Sequence, residues 1–212
     1  MGFAAVDVTE TTGAGPGSDR RTSPRFTSLI RAAKLVCGKG EFVCVVRDVS
    51  AKGVGLRCFH SMPSDPAMAL ELQNGESFEI ERVRGEGHEA SFRFTGDGVA
   101  VERLVRETWL YPRRPLRLNL AIPIVLRTLA GPIAAVTENM SQQGCRVETA
   151  LPLAIAQPLV IESPHLPAIR AKVRWRLGSH GGLVFDDTFS LRDFAVHTAK
   201  LQNPALMAGR AG

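Results

Sequence analysis

At 212 residues the chain is long enough for one sizeable domain or two small ones. Its 44% hydrophobic and 22% charged residues are ordinary for a globular protein, and no apolar run approaches the roughly 18 residues that span a bilayer. Membrane insertion is therefore not expected, and the most apolar stretch, ALPLAIAQPLVI, is broken by Pro152 and Pro158. The net charge is +5, but residues 1–19 hold three acids (Asp7, Glu10, Asp19) and no base, so the remainder carries +8. Arginine outnumbers lysine 21 to 5, and its planar fork suits phosphates and guanine edges. A GC-rich genome would enrich arginine equally, so charge alone assigns no partner.

In chain order, residues 1–18 are acidic and rich in Gly and Thr, the composition of a disordered tail. They lack the basic start and apolar core of a signal peptide, and Val6 stands where a myristoylation motif needs Ser or Thr. After an irregular segment and the turn CGKGE, FVCVVRDVS is β-branched and apolar, and predicts a strand. VGLRCF, MALELQN, SFEIERVRG and EASFRF predict further short strands. Val101, Leu104, Val105 and Thr108 then fall at helical spacing, predicting a helix over about 99–109.

The second half repeats this order. LAIPIVLRTL, AAVTENMS, CRVETA, LVIES, IRAKVRWRL and GGLVFDD predict strands. Ser190 with Asp193 marks a helix start, Leu191, Phe194, Ala195, Thr198 and Leu201 one helix face, and Asn203-Pro204 a stop. Turns every 8–12 residues predict that each set of about six strands closes into a small antiparallel barrel. The fold class expected is mainly β: two tandem six-stranded antiparallel barrels, each followed by an α-helix. The divisions expected are a tail to 18, domains over 19–109 and 110–205, and a short tail over 206–212.

A small barrel fills its interior with side chains, so any ligand must bind outside it. Two motifs recur there. Arg21-x-x-x-Arg25 precedes Asp48-x-Ser50-x-x-Gly53, and Arg113-x-x-x-Arg117 precedes Asn139-x-Ser141-x-x-Gly144. Ser50 to Ser141 and Gly53 to Gly144 are both 91 residues, and Arg21 to Arg113 is 92. Either motif alone is common, as a solvated arginine pair or as a turn. Both in the same order and spacing, twice, are not a coincidence. Guanidiniums from an arm at the entrance to each repeat would face a fixed turn of hydrogen-bonding groups. Arginine pairs bidentately with guanine or phosphate, Asp, Asn and Ser offer polar atoms, and Gly allows a turn or a close approach.

Both halves resemble PilZ domains, the bacterial receptors for cyclic di-GMP, in this motif pair and in the second half also in NMSQQGCRVETALPL, AKVRWRL and GGLVFDD. The later strands of the first half are looser. The resemblance spans roughly residues 18–205 and implies a cyclic di-GMP receptor in the cytoplasm, with no other cofactor. It implies one site at Arg20, Arg21, Arg25, Asp48, Ser50 and Gly53, and another at Arg113, Arg114, Arg117, Asn139, Ser141 and Gly144. The arginines would grip guanine and phosphate, and the Asp or Asn and the Ser the second guanine face. In the family an extra arginine before the first motif arginine favours an intercalated ligand dimer. Arg20 fills that place in the first repeat and Pro112 in the second, which implies two ligands and one, respectively.

No enzyme is expected. The five histidines are dispersed, neither motif serine sits in a hydrolase elbow, and GVG and GEG fall short of a phosphate loop. Trp109 and Trp175 read as packing residues, and the four cysteines as buried or partly buried free thiols. The alternative is a tandem-barrel protein adaptor without a nucleotide. A general nucleic-acid binder ranks last, because no aromatic stacking series accompanies the basic residues. A receptor without a separate output domain must signal through a protein partner or a change of shape, and a hinge between the halves, at the arm beginning with Arg113, is the expected place.

Overall fold

The structure is a computed structural model and describes residues 26–96, 99, 104, 115–164 and 166–207. Six strands, β1 (Phe26–Cys37), β2 (Gly40–Ser50), β3 (Gly53–Cys58), β4 (Met68–Glu71), β5 (Ser77–Arg84) and β6 (Glu89–Phe94), close an antiparallel barrel in the order β1-β2-β3-β6-β5-β4. A two-residue strand, β7 (Leu118–Asn119), leads into the second set. There β8 (Pro123–Thr128), β9 (Gly131–Ser141), β10 (Gly144–Thr149), β11 (Pro158–Ser163), β12 (Leu166–Leu177) and β13 (His180–Phe185) close in the corresponding order, β8-β9-β10-β13-β12-β11, with β7 paired to β9. The two barrels share one topology.

Alternation explains most of these strands. β6 buries Ala90, Phe92 and Phe94, and β10 buries Cys145, Val147 and Thr149. The cores are separate: Leu35, Leu56, Leu70, Ile80 and Phe92 fill the first, and Leu118, Leu126, Met140, Ile161 and Leu183 the second. Cys44, Cys58 and Cys145 are buried and Cys37 partly so, all as free thiols. Burial pushes the Cys58 and Cys145 thiols up to about 12, so neither forms a thiolate at neutral pH.

Strand β2 breaks the alternation. Its run Phe42-Val43-Cys44-Val45-Val46 is buried throughout, which means that both faces are covered. Cys44 belongs to the first core and Val43 to the second. The cover includes the C-terminal helix, α1 (Leu191–Gln202), whose Phe194 and Ala195 pack in the second core. Ser190 caps α1 as the sequence predicts, accepting from Asp193 N at 3.0 Å and donating to its carboxylate at 2.7 Å. Beyond α1, Pro204–Met207 form a 3-10 turn, and Leu206 O accepts from Ser61 N of the first barrel at 3.0 Å.

The helix predicted over about 99–109 lies outside the described residues, apart from Val99 and Leu104. Leu104 is helical and buried in the first core, and its carbonyl accepts from Arg31 Nη1 at 2.9 Å.

Candidate functional site

The Asp/Asn-x-Ser-x-x-Gly segments form the β2–β3 and β9–β10 turns. Ser50 pairs with Gly53, and Ser141 with Gly144. Each serine hydroxyl donates to the carbonyl of its glycine, at 3.3 Å in the first barrel and 3.1 Å in the second. Ser141 is only 1% exposed, and its oxygen also accepts from Gln143 N at 3.4 Å. The hydroxyl is thus engaged in closing the turn.

The glycines answer to the neighbouring strand. A Cβ on Gly53 would meet Phe92 O at 2.5 Å, and one on Gly144 would collide with Leu183 O. Neither motif glycine is among those with positive φ, so close approach of backbone to backbone requires them.

A bulge precedes each Asp/Asn. Register shifts leave Arg47 of β2 and Glu138 of β9 as extra residues, immediately before Asp48 and Asn139. Bulges re-aim a strand, and here they set the polar side chain that follows. In the second barrel Asn139 Oδ1 accepts from Arg117 Nη1 at 2.8 Å, so the arm and the turn meet. Burial raises the Cys145 thiol, and the Arg117 charge opposes that shift.

A cavity of about 380 Å³ opens beside this contact. Arg117, Asn139, Gly144, Arg146, Arg174 and Trp175 are among its lining residues. The size is within the range of small-molecule sites. Trp175 stays 40% exposed, and its indole lies so close to Gly182 that any Cβ there would strike the ring. Arg146 holds its guanidinium 5.9 Å from the Trp175 ring centroid and also pairs with Glu138. His180 Nδ1 lies 2.6 Å from the other oxygen of Glu138. A larger concavity of about 690 Å³ lies across β8 and β9, but its lining contains no arginine and two glutamates, Glu148 and Glu162. It offers nothing to an anion.

Sequence reasoning missed Trp175, Arg146 and Arg174 as site residues. The signal was Gly181-Gly182, a glycine pair inside a strand, which marks a place where something bulky lies on the backbone.

The first barrel is similar in backbone and different in chemistry. The 91-residue offset holds through its later strands, with the same bulge in β5 as in β12. Arg84 therefore takes the place of Trp175, Gly55 that of Arg146, Arg47 that of Glu138, and Glu89 that of His180. Glu89 lies between Arg47 at 3.4 Å and Arg57 at 3.7 Å. The cavity here is about 220 Å³, lined by Arg47, Asp48, Gly55, Arg84 and Glu89 among others. Arg20, Arg21, Arg25, Arg113 and Arg114 lie outside the described residues. No group of three or more potential metal ligands occurs among the described residues.

The family model described as PilZ domain matches residues 111–196. A comparison with curated proteins gives no match. Among solved structures, the chain is similar to Borreliella burgdorferi PlzA in complex with c-di-GMP, at 11% identity and a TM-score of 0.34, over 83% of this chain and 88% of that one. It is similar at 11% identity and 0.34 to Escherichia coli YcgR in complex with c-di-GMP, over 83% and 85% of the two chains. It is similar at 12% and 0.34 to the Bacillus subtilis inhibitor of motility MotI/DgrA, over 83% and 95%. Likeness this distant transfers neither ligand nor mechanism.

Proposed function

We propose, starting from the match of residues 111–196 to the PilZ domain family model, that this protein is a receptor for cyclic di-GMP and acts as a signalling effector without catalysis. The observation that carries this reading is the meeting of Arg117 with Asn139 at the cavity that Trp175 lines. A cyclic dinucleotide presents two phosphates and two guanines. Arg117, with Arg113 and Arg114 from the same arm, supplies bidentate cations for them. Asn139 supplies a carboxamide for a guanine edge, and the half-exposed Trp175 a face on which a base can stack. Ser141 and Gly144 hold the turn that aims Asn139.

The first barrel is a second site of the same kind, with Arg20, Arg21 and Arg25 on its arm and Asp48, Ser50 and Gly53 at its turn. The domains extend over 19–109 and 110–205. The extra Arg20 gives the first site an intercalated ligand pair, and Pro112 leaves the second with one molecule. The protein works in the cytoplasm and passes the signal to a protein partner through the relation between the barrels.

The test is calorimetric titration of cyclic di-GMP into the wild type and into the variants Arg21→Ala/Arg25→Ala and Arg113→Ala/Arg117→Ala. Micromolar or tighter binding, lost piecewise in the two variants, is expected, with about three ligands per wild-type chain under the counts above. A folded wild type that binds nothing would leave the adaptor reading. Two ligands per chain would end the ligand-pair idea alone, and one per chain would end the second site as well.

A further inference from the structure

We propose that Glu41, a residue of the first barrel, positions the arginine arm of the second barrel's site, so that this site is complete only while the barrels are seated on each other. The inference rests on the receptor reading above. It starts from the weakness of β7. This strand has two residues and one neighbour, β9, to which it is joined through Leu118 with Met140 and Asn119 with Asn139. So short a pairing does not hold itself in place. Yet Arg117 immediately precedes it, and its side chain must reach Asn139, the partner of Asn119 in that pairing.

The missing support comes from the other barrel. Asn119 donates its backbone N–H to Glu41 Oε2 at 2.7 Å and its side-chain N–H to Glu41 Oε1, also at 2.7 Å. Both carboxylate oxygens thus accept from one residue, two positions from Arg117. Glu41 is itself held firmly. Lys34 Nζ, with a side chain only 5% exposed, lies 3.1 Å from Glu41 Oε2 and 3.0 Å from Glu71. The Gln202 carboxamide accepts from Glu41 N at 2.9 Å and donates to Glu41 O at 2.6 Å, so the end of α1 pairs with the β1–β2 hairpin as a strand would. The two bonds to Asn119 are charge-assisted, although Asn119 itself is exposed, and the Glu41 side chain is only 15% exposed. The chain of contacts runs from the first barrel's hairpin through Glu41 and Asn119 to Arg117.

Such a chain works both ways. If Glu41 favours the arm's binding posture, ligand at the second site must favour the Glu41–Asn119 contact by the same factor. The second site would then report its occupancy to the first barrel.

The experiment uses full-length protein carrying Arg21→Ala/Arg25→Ala, so that only the second site is read. Cyclic di-GMP is titrated into this parent and into its Glu41→Ala, Glu41→Gln, Arg117→Ala and Glu41→Ala/Arg117→Ala derivatives. Glu41→Ala should weaken binding about tenfold, within the range of site-to-site couplings. Glu41→Gln, which keeps one acceptor, should weaken it less. The losses from Glu41→Ala and Arg117→Ala should not add. Hydrogen exchange follows the same proteins, and ligand should slow the amides of Asn119 and Glu41 in the parent.

Unchanged affinity in the Glu41 variants would overturn the proposal and leave Glu41 as interface glue, even if their melting temperatures fall. Additive losses would overturn it too, since Glu41 would then act apart from the arm. Should Glu41→Ala fail to fold, Glu41→Gln and the exchange readout decide. A wild type that binds nothing overturns the receptor reading, and this one with it. A wild type that binds while its second site is silent overturns the placing of the site and this proposal with it, but leaves the receptor reading standing.

Discussion

Single residues in this protein divide between making the turn and meeting what lies outside it. Ser141 and Gly144 belong to the first kind: a buried hydroxyl closing a turn, and a glycine required by a neighbouring carbonyl. Their spacing was legible in the sequence because turn geometry fixes it, but the same spacing could not tell turn-making from ligand contact. Trp175 belongs to the second kind, and a lone tryptophan in a strand reads as packing until the glycine opposite it is seen. Trp175→Ala should therefore cost the second site about 1–3 kcal/mol of binding, the usual worth of a base–aromatic stack. Its half-exposed position predicts a much smaller change in unfolding free energy. Titration and urea unfolding of the one variant separate the two quantities.

At the scale of elements, most strands were legible because one face is wet and the alternation shows. β2 was legible as a strand but not as a seam. An apolar run without alternation announces cover on both sides, yet nothing in it names the cover, which comes from α1 and the second core. Gly40 is a close point in that seam. Its φ is +132°, which side chains rarely adopt, and a Cβ would lie 3.0 Å from Gln202 Cδ and closer still to its oxygen. Gly40→Ala should destabilise the fold by about 1–3 kcal/mol. Part of that cost is steric and part is backbone strain. Adding Gln202→Ala removes only the steric part, so the double variant should lose less than the sum of the two single losses when measured by denaturant unfolding.

At the scale of the molecule, a repeat in topology has become a pair in chemistry. The two barrels keep strand order, the bulges of β2 and β5 and a constant offset, while Arg84 replaces Trp175 and an acid and a base exchange places around it. The duplication was legible from spacing alone. The exchange was not, because it concerns residues outside the motif whose equivalence only the strand registers establish. Binding at the first site should lean on charge and at the second partly on stacking. Raising the salt concentration should weaken the first site more steeply, as titrations of the two arginine-pair variants at low and high salt would read. A steeper slope at the second site would count against this division.

Successive residues of β2 serve different cores, and that has a consequence for how the protein is made. Glu41 meets Gln202 across a sequence separation of 161 residues, so the outer face of β2 stays uncovered until nearly all of the described chain has been synthesised. The first barrel cannot finish folding as its own strands emerge. It must wait, half-sealed, with Val43 exposed to whatever else can bind an apolar strand. The Glu41 amide, which donates to Gln202, should be among the last to gain protection on refolding. A chaperone would meet this protein not at its proposed sites but along the strand that later becomes its seam.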